Sequence, residues 1–313
     1  MGRRLAGRAA PPRGDLLARF RAERAARREE QELLSRLAVP VEPGPAIPLA
    51  RAPEVGAALA GALGEPVPTP GLLPLRDLLG MIGAHQWRLR GIEVPALGAR
   101  IHPWYGVFAP IRPDQVALVA EAIRRWPPAG RRALDVGTGT GVLALLLARA
   151  GARVVATDLS PRALACAREN AARLGLADRL ELVQADLFAG GPHDLVVANP
   201  PWLPAPAVTP LERAVYDPGG AFLSGLLAGL PARLAPGGEA WLVLSDLAER
   251  IGLRRPGELD GAIAAAGLRE VDRIDRPAAH PRSCDRTDPL HEARAAEITS
   301  LRRLAAGTPR RAP

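Results

Sequence analysis

Arg132-Ala-Leu-Asp-Val-Gly-Thr-Gly-Thr-Gly-Val142 decides the fold. Its first five residues read as a strand, Gly137-Thr-Gly-Thr-Gly141 as a tight turn, and Val142 to Ala150 as a helix whose N-terminus faces that turn. Glycine has no Cβ, so the backbone of the turn can come close to a ligand. Val142 stands where the dinucleotide fingerprint G-x-G-x-x-G takes its third glycine, which argues against a pyrophosphate site. The next strand, Ala152 to Thr157, ends at Asp158, where a carboxylate can accept from both hydroxyls of a ribose. A third strand, Leu180 to Val183, leads to Asp186, placed to accept from an adenine amino group. Each aspartate alone reads as a solvated strand end. Asp135, Asp158 and Asp186 together mark the carboxyl edge of a parallel sheet, where such sheets bind ligands.

Downstream, the apolar run Asp194-Leu-Val-Val-Ala198 is a buried strand that ends in Asn199-Pro-Pro-Trp202. Each proline fixes its own φ and drives the residue before it out of the α region, so the tetrapeptide is a stiff extended turn. By itself such a string is an ordinary loop. Behind a strand and a glycine turn it specifies a chemistry. A nitrogen that attacks a methyl group must aim its lone pair at the carbon, and two convergent acceptors can hold its N–H groups. The Asn199 side-chain oxygen is one such acceptor and the Pro200 carbonyl the other. Pro201 stiffens the turn, and the Trp202 ring offers a flat face to a planar acceptor.

These residues resemble the class I S-adenosylmethionine-dependent methyltransferases, in particular the amino-methylating group that shares Asn/Asp-Pro-Pro-aromatic. Within it the chain is similar to the HemK-type protein-glutamine and small-domain methyltransferases. The resemblance covers about residues 101 to 305 and rests on Asp135-Val-Gly-Thr-Gly-Thr-Gly141, Asp158, Ala185-Asp186 and Val196-Val-Ala-Asn-Pro-Pro-Trp202. Ile111-Arg-Pro-Asp114 resembles the Arg-Pro-acidic segment that precedes the sheet in that group. Three positions depart from it: Val116 replaces a second acidic residue, Trp202 a tyrosine, and Tyr216-Asp-Pro-Gly-Gly220 only echoes the segment after the motif.

The resemblance implies a Rossmann-like α/β fold, a doubly wound, mostly parallel seven-stranded sheet whose last strand is antiparallel. It implies S-adenosylmethionine as cofactor, with no metal, held by Asp135, Gly137, Thr138, Gly139, Gly141, Asp158, Leu159, Asp186, Leu187 and Asn199. The implied reaction is methyl transfer to an amide or amino nitrogen, foremost a protein glutamine, with a translation factor or ribosomal protein as partner. An rRNA base methyltransferase, acting on adenine N6 or guanine N2, is the alternative, with Trp202 stacking an extruded base. A nicotinamide oxidoreductase is disfavoured by Val142. A non-catalytic binding module needs a defect in the site, and none is visible.

Composition bears on the partner. The net charge is +8, yet all 41 basic residues are arginine, and heavy Ala, Gly, Pro and Arg usage reads as a coding bias. Nine arginines fall within residues 1 to 28: Arg3, Arg4, Arg8, Arg13, Arg19, Arg21, Arg24, Arg27 and Arg28. Such an arm can neutralise phosphates, though a solvated, partly helical tail is the commoner outcome of such a composition. No apolar stretch of signal-peptide or membrane-span length is present, and a cytoplasmic protein without a membrane partner is expected. Cys166 and Cys284 form no framework, Cys166 reading as a small buried thiol, and the five histidines show no metal spacing.

Three parts follow: an arginine-rich, partly helical arm (1–38), a Pro-rich, mainly helical N-terminal domain (39–100), and the methyltransferase-like domain (101–313). Residues 40 to 75 read as linkers around one helix, Glu54 to Leu63, followed by a helix at Asp77 to Trp87 and a short strand at Ile92 to Val94. Asp114 caps a helix to Arg125, and Ser160 caps another with Pro161 in its first position. Beyond the Asn-Pro-Pro turn, helices at 221–234 and 256–266 alternate with strands at 239–245, 268–274 and 297–304. Trp104-Tyr-Gly-Val-Phe108 is either a packing plug or a pocket wall, and Arg112 pairs with a substrate or with Asp114. Phe108, Arg112 and Trp202 are the substrate candidates.

Overall fold

The computed structural model describes residues 15–42, 46–64, 71–109 and 112–307. Helix α1 (Leu16–Ser35) starts at Asp15, whose carboxylate accepts from the Leu17 and Ala18 amides. After it come β1 (Ala38–Val41), α2 (Gly56–Leu63), β2 (Gly71–Pro74) and α3 (Leu75–Arg90). Strands β1 and β2 pair antiparallel and cover a small core of Val41, Leu59, Leu73, Leu78 and Met81. The sequence reads this stretch as linkers around one helix. Pro40 and Pro74 sit in the two strands, and a residue without an N–H is tolerated only because the sheet has no interior strand.

Strands β3 (Ile92–Val94) and β4 (Ala99–Ile101) form a hairpin. Val94, Leu97 and Ile101 are buried in the same cluster as Val119 and Leu145, so the hairpin belongs to the large sheet's core. A boundary at residue 100 therefore cuts through a packed unit. Helix α4 (Pro113–Arg125) begins one residue earlier than read, because Pro113 takes the first helical position. Asp114 is not the cap; it sits buried in the first turn and accepts from Arg112 and Thr299.

From Arg132 onward strands and helices alternate: β5 (Arg132–Val136), α5 (Val142–Arg149), β6 (Arg153–Asp158), α6 (Pro161–Arg173), β7 (Leu180–Gln184), β8 (His193–Ala198), α7 (Ala221–Arg233) and β9 (Leu234–Ser245). Then come α8 (Leu247–Ile251), α9 (Glu258–Ala265), β10 (Leu268–Pro277), α10 (Pro281–Cys284), α11 (His291–Ala295) and β11 (Ile298–Ala306). Ser160 caps α6 as expected, its hydroxyl accepting from the Ala163 amide.

The seven-stranded sheet runs β10-β11-β9-β8-β5-β6-β7. Strands β5 to β9 are parallel, and β11 is antiparallel to both β9 and β10. Along β8, Val196 and Ala198 join one apolar layer while Leu195 and Val197 join the other. A strand buried on both faces reads as a continuous apolar run for this reason. The chain winds outward in opposite directions from β5 and β8, which opens a crevice at their carboxyl ends.

Helix α1 is not a free arm. Phe20 is 3% exposed within the layer of Val196, Leu226 and Ala248, and Leu16 and Leu17 pack on it. Arg3, Arg4, Arg8 and Arg13 lie outside the described residues. Truncating a buried phenylalanine leaves a cavity, so Phe20→Ala should cost about 3–5 kcal/mol in urea unfolding. A loss below about 1 kcal/mol would mean the helix only rests on the surface.

Candidate active site

Asp135, in the middle of the sheet, holds the glycine turn. Its carboxylate accepts from the Thr138 hydroxyl at 2.6 Å and the Ala144 amide at 3.1 Å, joining the turn to the first turn of α5. It is 1% exposed, and burial pushes its pKa up to about 6 against the two donors that favour the charge. Gly139 (φ +54°) and Gly141 (φ +88°) take left-handed backbone conformations. A Cβ on Gly139 would stand 3.1 Å from the Phe108 carbonyl, and one on Gly141 would stand 3.0 Å from Ala167 Cβ on α6. The glycines therefore allow close packing by the protein itself, as well as by a ligand.

Above the turn lies a cavity of about 470 Å³. Gly137, Thr138, Gly139, Asp158, Leu159, Asp186, Leu187 and Phe108 line it, so most of the expected cofactor residues converge there. Gly141 does not reach it and serves the packing of α5 on α6. Asp158 accepts from the Gly139 amide at 3.0 Å and the Ser160 amide at 2.9 Å, and a carboxylate keeps lone pairs beyond two such bonds. Leu187 is held at φ +68°, its carbonyl accepting from the Thr157 hydroxyl at 2.6 Å. That conformation costs a leucine about 1–2 kcal/mol and marks a constrained wall. Leu159 is 63% exposed at the rim, an apolar surface suited to a purine face.

Asn199 and Pro201 line the cavity beside Gln115 of α4. The Asn199 Nδ2 donates to Gln115 Oε1 at 3.3 Å, and Asn199 Oδ1 is buried with no partner. Gln115 Nε2 is likewise buried and unpartnered. Gln115 carries no motif signal, and its only hint in the sequence was its place two residues after Pro113.

Trp202 and Pro200 do not stand where expected, and of the two readings of Arg112 the pairing with Asp114 is the one seen. Trp202 is 3% exposed, packs in the apolar layer with Phe20 and Leu223, and does not line the cavity. Burying its large apolar ring outweighs displaying it. Flat faces come instead from Phe108 and Phe222. Pro200 too is buried outside the cavity lining. Arg112 pairs with Asp114 at 2.8 Å and Glu297 at 3.0 Å, donates to Thr299 at 3.0 Å, and stands 5.7 Å over the Trp202 ring. It ties α4 to β11 and does not line the cavity. Burial pushes Glu297 up, yet His280, Arg112 and Ser245 together hold it below its ordinary value.

The segment after the motif returns over the cavity. Leu203 bridges to Tyr216, and Pro210, Leu211, Arg213 and Ala214 line the rim. Arg24 of α1 holds this segment: it pairs with Glu212 at 2.7 Å, donates to the Pro206 carbonyl at 2.9 Å, and lies 4.0 Å over the Tyr216 ring. Cys166 is fully buried, and its thiol is pushed up to about 11 by burial, so it takes no part.

The cradle suits S-adenosylmethionine. Asp158 can accept from a ribose, Leu159 and Leu187 offer apolar walls to adenine, and the Gly137–Gly139 backbone borders the same space. A family model of the methyltransferase small domain matches residues 98–250. A release factor glutamine methyltransferase of Chlorobaculum tepidum is 32% identical over 227 residues, 64% of this chain and 73% of that relative. One from Cereibacter sphaeroides is 43% identical over 153 residues, 44% of this chain and 52% of the relative. The chain belongs to the HemK-type family of class I S-adenosylmethionine-dependent methyltransferases. Its matches to several of these curated relatives span about half of their length, between 45% and 65%. A solved ribosomal protein L11 methylase from Lactobacillus delbrueckii subsp. bulgaricus aligns with a TM-score of 0.45 and 22% identity, over 64% of this chain and 82% of that one.

Asp158→Ala should weaken S-adenosylhomocysteine binding by about 10- to 150-fold, the equivalent of about 1.5–3 kcal/mol for a charged acceptor. Calorimetry measures it, and unchanged affinity would remove Asp158 from the site. Asp135 gives a pH prediction. Its folded pKa of about 6 lies above the ordinary 3.8, so the folded state keeps a proton that the unfolded chain releases between those values. Its contribution to stability is then largest below pH 3.8 and falls as pH rises to about 6. Asp135→Asn should abolish that slope, at most about 1.4 kcal/mol per pH unit, in urea titrations run between pH 4 and pH 7. A wild-type-to-variant difference that does not vary with pH would contradict it.

Proposed function

We propose that this chain is an S-adenosylmethionine-dependent N-methyltransferase acting on a glutamine side chain of a peptide chain release factor. The observation that carries this reading is Asn199 Oδ1, a buried acceptor without a partner at the wall of the cavity. Leaving such a group unpaired costs about 1–3 kcal/mol, a cost recovered when an N–H of the acceptor amide binds there. The names of the relatives support the protein substrate over nucleic acid. Trp202, the ring expected to stack an extruded base, is buried and does not line the cavity. Arg24 and Arg27, two members of the arm, are engaged with Glu212 and Glu23.

When bound, S-adenosylmethionine supplies an electrophilic methyl group together with its own leaving group. Asp158, Asp186 and the glycine turn would hold it, and the Asn199 side-chain oxygen would orient the amide nitrogen. Alignment of this kind accounts for up to about 7–11 kcal/mol of a barrier. The Asn199 oxygen would also stabilise positive charge that grows on the nitrogen. Phe108, Phe222 and the returning segment at Pro210–Ala214 exclude water from the contact.

Radiolabelled methyl transfer to purified release factor and to rRNA tests the reading. Label should enter the protein as N-methylglutamine, and label confined to RNA would overturn it. Asn199→Ala should lower turnover by about 10²-fold or more, as removal of a preorganised polar contact does elsewhere, while S-adenosylhomocysteine affinity stays within a few-fold. Loss of cofactor binding instead would make Asn199 structural.

A further inference from the structure

Two amide side chains meet at the acceptor end of the cavity, and each keeps one polar atom unpaired. Asn199 Nδ2 donates to Gln115 Oε1, which leaves Asn199 Oδ1 as an acceptor and Gln115 Nε2 as a donor, both buried and without partners. Gln115 is 2% exposed and lines the cavity. Its place is rigid: it follows Asp114, which accepts from Arg112 and from the Thr299 hydroxyl at 2.9 Å, so the first turn of α4 is bound to β11. A buried donor and a buried acceptor on two hydrogen-bonded side chains are complementary to one group that presents an acceptor beside a donor. A carboxamide does so with its C=O and NH2. Buried polar groups reject a ligand that cannot pair with them far more strongly than apolar walls do.

We propose that Gln115 is a specificity-determining residue that donates to the carbonyl of the acceptor carboxamide while Asn199 binds its NH2. The proposal rests on the glutamine reading above and assigns the second half of that recognition. Gln115 has two separable duties: its Oε1 fixes the orientation of the Asn199 amide, leaving Oδ1 as the free acceptor, and its Nε2 reads the substrate.

Gln115→Glu separates them, because it keeps an oxygen for Asn199 Nδ2 and replaces the donor by a second oxygen. Methyl transfer to release factor by the full chain should fall at least tenfold in kcat/KM at neutral pH. It should recover as pH is lowered and the carboxyl gains a proton to donate. S-adenosylhomocysteine affinity should stay within a few-fold. Wild-type kcat/KM in Gln115→Glu would overturn the proposal and leave the glutamine reading standing. Wild-type protein that labels only RNA would remove both, and that failure shows without any variant.

Gln115→Met adds no buried charge and covers the case in which the Glu variant does not fold. With S-adenosylhomocysteine bound, wild-type protein should prefer release factor with the acceptor glutamine over release factor with methionine in its place. In Gln115→Met that preference should shrink at least tenfold. An unchanged preference overturns the proposal.

Discussion

The Asp135 carboxylate is almost wholly buried at the floor of the cavity. Its bonds to Thr138 and Ala144 fasten the glycine turn to the helix behind it, and Asp158 fastens the same turn from the neighbouring strand through the Gly139 amide. A turn with left-handed glycines is otherwise among the most freely moving pieces of a chain, and ordering it costs conformational entropy. Two carboxylates on adjacent parallel strands offset that cost. The floor of the cavity then has one shape, against which Phe108, Leu187 and Asn199 are set.

The strand–turn–helix unit, the successive aspartates and the Asn-Pro-Pro turn were legible in the sequence because their signals are local. Apolar runs, glycine spacing and proline restraint all act within a few residues. The pairing of Arg112 with Asp114 was legible because it is local, while Glu297 and Thr299, 185 and 187 positions away, were not. Trp202 shows a limit of another kind. A motif says that an aromatic follows two prolines, but which side of the turn the ring takes depends on Phe20 and Leu223 packing beside it. Gln115 was marked only by its place just after the Arg-Pro-acidic segment, because an amide in a helix's first turn matters only once Asn199 stands opposite. The pairing of β1 with β2 was concealed by prolines that usually argue against strands.

Charge counting misjudged the N-terminal arginines for a related reason. Composition reports how many cations a segment carries and nothing of what faces them. Arg24 faces Glu212, the Pro206 carbonyl and the Tyr216 ring, so in the fold it is a strut for the segment that closes the cavity. A guanidinium suits this task, with a planar fork that serves a carboxylate and a carbonyl together and a face that stacks on an aromatic ring. Helix α1, far from the motifs in sequence, thereby shapes the rim of the site.

Strand β11 lies in the interior of the sheet, between β9 and β10, although it follows both in the chain. During synthesis the edge of β9 stays unpaired until residues 298–306 have emerged, and the Arg112 charge waits for Glu297 from the same stretch. The parallel half of the sheet can form early, but the ties from Arg112 and Asp114, at the start of the helix that carries Gln115, to Glu297 and Thr299 wait until then. A nascent chain would thus acquire its cofactor cradle before its acceptor pocket, and an interrupted one would expose a long strand edge open to pairing with other chains.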